Sequence, residues 1–567
     1  MTEYIERIDL KIVKSELQSA IYECFDRGLE QNAKWLADLN FGLSSVPLDD
    51  VENSKPVKHD DRAAYILGRM YFQCQEYDRA ANILEPCTDE KARFLYYYSK
   101  YTSAEKKKID NLNEPTVSSA YNNNIHKELY NMLKLERETN SLDGYCLYLY
   151  GIVLKKMQLN SLAVDILMES LTLVPTLWGA WLELAPLITN RLQLNSLQLP
   201  SHWMVPFFLI RVHLELIQNE EAIELLSALQ RSGFDKCNEV LAQLAVANHN
   251  LRDVDKALEI FKKLRNDDPY RLDSIDIYSN VLYVKGLRTE LAQLAHAAVD
   301  IDKYRVETCC IVANYYSIRQ EHQKAILYFQ RALRLNPHFL SAWTLMGHEF
   351  LELKNINAAI HCYRSAIEVN KRDFRAWYGL GQTYDILKMP FYCLYYYKQA
   401  QQLMPNDSRM LTALGEAYER LELLLQNALK CYYKAHNVGD IEGMALLKSA
   451  KLYEKLGERD SAAAAYTDFC LDEFRPDNVD LHSAHKFLAT YHASINQFEK
   501  ASHYAFKLLT LDTLQLRLRH TSNVCLAQSC ILRYTASRTS SRTENNVHSV
   551  LFNGFGHVIY GSQMRTY

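Results

Sequence analysis

Trp343 and Trp377 stand 34 residues apart, and their surroundings repeat with them. AWTLMGHEF at 342–350 returns as AWYGLGQTY at 376–384. Behind each lies a second helical pattern of small and aromatic residues: Ala359, Tyr363 and Ala366, then Cys393, Tyr397 and Ala400. The unit before carries Val312, Ala313, Tyr316, Ala325, Phe329, Ala332 and Pro337. The unit after carries Leu414, Gly415, Tyr418, Ala428, Tyr432 and Ala435, displaced by one inserted residue. A fixed period constrains the fold strongly, because one unit leaves a bare apolar face that only stacking buries. Within a unit, two antiparallel helices need small residues where their backbones approach. Gly347, Gly381 and Gly415 fall there, and aromatics such as Trp343, Trp377 and Tyr384 pack beside them. Pro337 and Pro405 follow the second helix, which proline cannot continue.

These residues resemble the tetratricopeptide repeat (TPR), with W-x-x-L-G-x-x-Y in helix A and A-x-x-x-F-x-x-A in helix B. The resemblance implies an all-α TPR superhelical solenoid of roughly a dozen helix-turn-helix repeats. Clear units also surround Leu244, Ala257 and Phe261; Gly151, Ala163 and Leu167; and Gly68, Ala80 and Leu84. Weaker ones lie at 180–229 (Trp181, Ala222), 273–304 (Tyr283, Ala292), 445–469 and 481–509, and residues 15–45 read as one more helical pair. The expected organisation is an N-terminal helical and dimerisation region at 1–101 and a polar insertion at 102–124. Middle repeats follow at 125–300, repeats with a peptide groove at 301–510, and a mostly disordered basic tail at 511–567.

Composition agrees with an array. There are only 18 Gly and 13 Pro in 567 residues, so turns are few and short. With 64 basic against 68 acidic residues, a nucleic-acid binder held by phosphate contacts is not expected. The 13 cysteines form no C-x-x-C pair and read as free thiols. The longest strongly apolar run, Trp203–Ile210, is too short for a membrane span, and no signal peptide is visible. No Walker A, H-E-x-x-H or G-x-S-x-G sequence occurs, and His482 and His485 have no third ligand nearby. The expectation is a non-enzyme without cofactor or metal, in nucleus and cytoplasm, touching neither nucleic acid nor membrane.

A TPR array offers a concave groove lined by its A helices. The usual groove positions give Glu307, Cys310 and Asn314; Ser341, Thr344 and His348; Arg375, Tyr378, Gln382 and Asp385; and Arg409, Thr412 and Glu416. The lysines of a chaperone-type carboxylate clamp are missing from this set.

The block at 304–350 and 366–421, with KMPFYCLYYY at 388–397, resembles subunit eight of the anaphase-promoting complex (cyclosome), the cell-division-cycle twenty-three type. CFDRGLEQNAKWLADL at 24–39 is similar to that family's start. The resemblance implies a non-catalytic scaffold of a ubiquitin ligase that marks mitotic cyclins and securin. It implies a homodimer formed through the N-terminal repeats and stacking with sister TPR and scaffold subunits. It further implies a groove that receives the C-box, an Arg-containing motif of Cdc20/Cdh1-type coactivators. Carried to this chain, that site is Asn314 and Glu349, with His348, Tyr378 and Gln382 adjacent. The alternative is a free-standing TPR adaptor in trafficking or chaperone pathways.

Overall fold

A computed structural model of the chain describes residues 8–44, 46, 61–112, 120–139, 142–421, 424–440, 443–471 and 478–515. All regular structure among them is helical. The chain divides into two compact units, Met1–Leu335 and Asn336–Tyr567.

The second unit is the plainer. It pairs Leu340–Glu352 with Ile356–Val369, Phe374–Ile386 with Pro390–Leu403, Ser408–Arg420 with Leu425–Gly439, Met444–Leu456 with Arg459–Leu471, and Asn478–Ser494 with Phe498–Gln515. Substantial contacts join only helices one or two places apart in the chain. Packing is a ring against a glycine. A Cβ built on Gly347 would lie 2.7 Å from the Tyr363 ring, and one on Gly379 would lie 2.5 Å from the same ring. Tyr363 is thus held between the A helix of its own repeat and that of the next. Gly381 faces Tyr397 and Gly415 faces Tyr432 in the same way. The buried ring carries a hydroxyl that needs a partner. Tyr363 OH meets His348 Nδ1 at 2.9 Å, Tyr432 OH donates to Glu419 at 3.1 Å, and Tyr466 OH donates to Glu454 at 3.2 Å. Trp343 and Trp377 sit half-buried at the repeat starts, each donating its indole N–H back to the preceding turn, to Pro337 O and Lys371 O, at 2.9 Å.

The first unit contains regular pairs at Arg62–Gln73 and Tyr77–Leu84, Gly144–Lys156 and Asn160–Leu173, Asn238–Asn250 and Val254–Asp267, Ile275–Val284 and Arg288–Ile301, and Val306–Ile318 and His322–Leu335. Its wedge residues carry no hydroxyl: Leu84 stands over Gly68, Leu167 over Gly151, and Phe261 and Phe329 are fully buried.

Three expectations change here. Residues 102–112 and 120–124, read as a polar insertion, are helical. They end Glu90–Leu112 and begin Ala120–Glu138, while 113–119 lie outside the described residues. Within the run Ser103 and Ala104 are buried while Lys106 and Lys107 are exposed, and Ser103 and Lys107 both reach Asp78, at 2.7 and 3.1 Å. Second, 180–229 is not one repeat. A truncated helix, Trp178–Leu184, and the short Arg191–Ser196 precede a full pair, Val205–Glu215 and Asn219–Leu229. Third, in the 273–304 unit the buried second-helix positions are Leu291, Leu294, Ala295 and Ala298, so Ala292 is off the packing register. Of the tail at 511–567, residues 511–515 finish the last helix, and 516–567 lie outside the described residues.

The turn from helix A to helix B is one device repeated. Its second residue is left-handed at Gln75, Gln158, Ile217, Arg252, Gln320, Lys354, Lys388 and Asn496, and glycine takes it only at Gly28, Gly286 and Gly457 among the described residues. Scarce glycine therefore does not mean absent turns. The chain tolerates αL strain in ordinary residues and keeps glycine for backbone approach.

Candidate peptide-binding faces

In the first unit the inner face is covered by the chain itself. Glu30–Gly42, paired with Leu10–Asp26, packs on Trp178–Leu184 and Asn238–Asn250, both far along the chain. Trp35 stacks on Trp178 at 4.1 Å and 9°, with Phe207 edge-on at 5.7 Å. A Cβ on Gly42 would meet the Cys237 backbone at 3.0 Å, and one on Gly179 would meet Asn32 and Tyr148 OH at 2.7 Å. Ion pairs border the contact. Arg27 lies over the Tyr145 ring at 3.9 Å and reaches Asp143 at 3.5 Å. Lys91 meets Asp26 at 2.9 Å, Lys34 meets Asp273 at 2.7 Å, and Arg271 holds Glu239 at 2.8 Å and Asp38 at 3.8 Å. Glu16 accepts from His202 at 2.9 Å and Trp203 at 2.7 Å, and the His202 bond pulls its carboxyl below the ordinary range against the opposing cost of burial. These residues escape sequence reasoning because each partner is a single residue at a long, unrepeated distance.

Asn314 also belongs to the first unit, on Val306–Ile318, and is 3% exposed. Its amide donates to Ser279 Oγ at 2.8 Å and to Asn280 Oδ1 at 2.7 Å, which commits both hydrogens and leaves Oδ1 as an acceptor. On the neighbouring helix Ile275–Val284, burial pushes the Asp276 carboxyl up to about 6, with the Glu307 charge adding to it.

In the second unit Leu340–Glu352 and Phe374–Ile386 lie side by side and carry the other four residues. His348 is half-buried and bonded to Tyr363; burial first, and then the Arg375 charge, push its imidazole down to about 4. Glu349 is 6% exposed. Tyr378 is half-buried, its ring 5.4 Å from that of Tyr397, and Gln382 is half-buried on the same helix. Further along this face the charges are paired: Asp385 with Arg420, Glu416 with Arg420 and Lys448, and Arg409 with Asp407. Sequence reasoning missed Arg420 and Lys448, which lie a repeat beyond Asp385 and Glu416 respectively. Arg375, Asp385 and Glu416 were legible from repeat position alone.

Helical pairs stacked in series, with small residues where the helices cross, define a TPR protein. TPR family models match residues 306–339 and 347–385. A model described as anaphase promoting complex subunit 8 / Cdc23 matches residues 12–245. Anaphase-promoting complex subunit 8 of Arabidopsis thaliana is 44% identical over 88% of this chain and 93% of its own length. Its Dictyostelium discoideum counterpart is 41% identical over 88% and 94%. The cell division cycle protein 23 homolog of Homo sapiens is 49% identical over 52% of this chain and 50% of its own. The fold is shared with a crystal structure of the APC/C hetero-tetramer Cut9-Hcn1, at TM-score 0.56 and 17% identity over 90% of this chain and 95% of that one. The chain belongs to the anaphase-promoting complex subunit 8 / Cdc23 family of TPR subunits.

No helix among the described residues is long and apolar enough to cross a membrane.

Proposed function

We propose that this chain is a non-catalytic scaffold of the cyclosome ubiquitin ligase, working in nucleus and cytoplasm to promote ubiquitination of mitotic cyclins and securin. It pairs with a second copy of itself, stacks with sister TPR and scaffold subunits, and docks the C-box of Cdc20/Cdh1-type coactivators. Family membership supports the scaffold role. The contrast between the two inner faces supports the docking role. Residues 10–42 cover the first, whereas in the second unit substantial contacts stay between near neighbours in the chain. There Glu349 is the carboxylate that receives the motif's guanidinium, a pairing that can be bidentate. His348, neutral at physiological pH, adds no competing charge. Tyr378 and Gln382 offer an aromatic wall and an amide for the peptide backbone. Asn314 offers Oδ1 as an acceptor in the first unit.

Purification from cells at mild salt should recover a complex containing cullin and RING subunits; recovery of the chain alone defeats the scaffold reading. In a binding assay with the full chain, Glu349→Ala should weaken a C-box peptide by about 1.5–3 kcal/mol, the worth of a charged hydrogen bond. Unchanged affinity removes Glu349 from the site. Asn314→Ala tests the first-unit acceptor separately.

A further inference from the structure

The outer, second-helix side of the second unit differs in chemistry from the inner side. Ile356–Val369, Pro390–Leu403 and Leu425–Gly439 carry four cations, Arg364, Lys398, Lys430 and Lys434, against one carboxylate, Glu368. Counting from the buried ring of each repeat, equivalent positions hold His361 and Arg364, then Tyr395 and Lys398, then Lys430 and Tyr433, and all six are exposed. Stacking of repeats brings equivalent positions into line. Phe391, Tyr392, Tyr395 and Tyr433 are 54–73% exposed, which is costly for large rings without a partner. Two observations separate this stripe from an ordinary solvated face. Among the described residues, no carboxylate forms an ion pair with Lys398, Lys430 or Lys434, whereas on the inner side Arg420, Arg409 and Lys448 are paired, with Arg375 the exception. The rings are also held in place from beneath. Tyr384 stacks on Tyr392 at 5.4 Å and on Tyr396 at 5.2 Å, and Arg364 donates to Tyr384 OH at 3.1 Å. Ordered aromatics beside cations that hold no carboxylate make a preformed surface, so little ordering is required on binding.

We infer that this outer stripe, from His361 to Tyr433, docks an acidic peptide segment with apolar side chains contributed by another polypeptide. Lysines and tyrosine hydroxyls donate to the carboxylates, and Phe391, Tyr392 and Tyr395 cover the apolar residues. A nucleic-acid strand fits less well. It brings a phosphate at every nucleotide, and four cations spread over three helices neutralise few of them.

The test uses the full chain and fluorescence anisotropy with a labelled peptide of alternating Asp and Leu. Its Lys and Leu counterpart and a labelled oligothymidine serve as controls. The acidic peptide should bind, weaken with salt, and lose about tenfold in affinity in Lys398→Glu/Lys430→Glu. Phe391→Ser/Tyr395→Ser should lose a similar factor with little change in the salt slope. These side chains are exposed, and unchanged helical content and melting confirm that the variants fold. Binding of a C-box peptide should be unaffected in both. Absence of acidic-peptide binding, equal binding in wild type and variants, or preference for oligothymidine overturns the inference. Self-association in sedimentation that the same substitutions abolish overturns it in favour of a second copy.

Discussion

The two units solve the same packing problem with different residues. In the first, a buried cluster runs from Val13 to Ala247 and joins side chains more than a hundred positions apart; Trp178 and Phe207 belong to it, and the partly buried Trp35 packs against them. In the second, the buried clusters are short in sequence, as from Ala359 to Ala417 and from Leu446 to Leu488. The wedges are Leu84, Leu167, Phe261 and Phe329 on one side, and Tyr363, Tyr397, Tyr432 and Tyr466 on the other. Long-range burial makes the first unit cooperative and covers its inner face. Repeat-by-repeat burial leaves the second unit modular.

The comparison is broken most forcefully at Trp35. Trp35→Ala should cost about 3 kcal/mol, because stacking and packing area are lost together. Hydrogen exchange should show the loss spread over residues 13–247 and absent from the second unit; a loss confined to 30–42 defeats the picture of one shared core. Exchanging the wedges comes next. Phe261→Tyr forces an extra oxygen into a fully buried, closely packed position and should cost about 2 kcal/mol in denaturant titrations. The mirror change, Tyr363→Phe, strips His348 Nδ1 of its partner and should cost about 1 kcal/mol.

Acid should act on the second unit. His348 and His485 are both pushed down to about 4, by burial before any neighbouring charge. A histidine depressed on folding lets the unfolded chain take up a proton first. Stability is therefore full above about pH 6.5 and falls as the pH drops toward 4. The loss should be about 1 kcal/mol from His348, discounted for its half-exposed ring, and thermal melts at pH 5 and 7 should show it. His348→Gln should flatten that part of the profile. The smallest effect sharpens what the units share. Gln158→Gly in the first and Lys354→Gly in the second relieve the same left-handed turn, and each should gain about 0.5 kcal/mol. A gain in one unit only means the turn is not one device.

The repeats at 306–435 were readable because glycine, tyrosine and tryptophan recur there at fixed spacing, and each residue reports a contact within its own or the next repeat. The seating of residues 10–42 was not. Trp35 with Trp178, and Asp38 with Arg271, obey no period, and the helical pattern of 15–45 says only that a pair exists. The turns were hidden for the opposite reason, since Gln and Lys at left-handed positions look like surface residues. At the candidate site, repeat position placed His348, Tyr378 and Gln382 on adjacent A helices. It could not reveal that Asp385 and Glu416 already hold Arg420 and Lys448, because pairing depends on the next repeat's register.

Tyr363 stands against two glycines, Gly347 and Gly379, from successive A helices. Mechanically it is a pin through two leaves of a hinge. Its thickness sets the spacing between those repeats, and its hydroxyl, tied to His348, resists sideways swinging of the ring's tip. A solenoid pinned in this way flexes by small, shared tilts across many repeats rather than by folding at one. A strain applied at one end of the second unit is then handed on through a row of tyrosines instead of being absorbed where it arises.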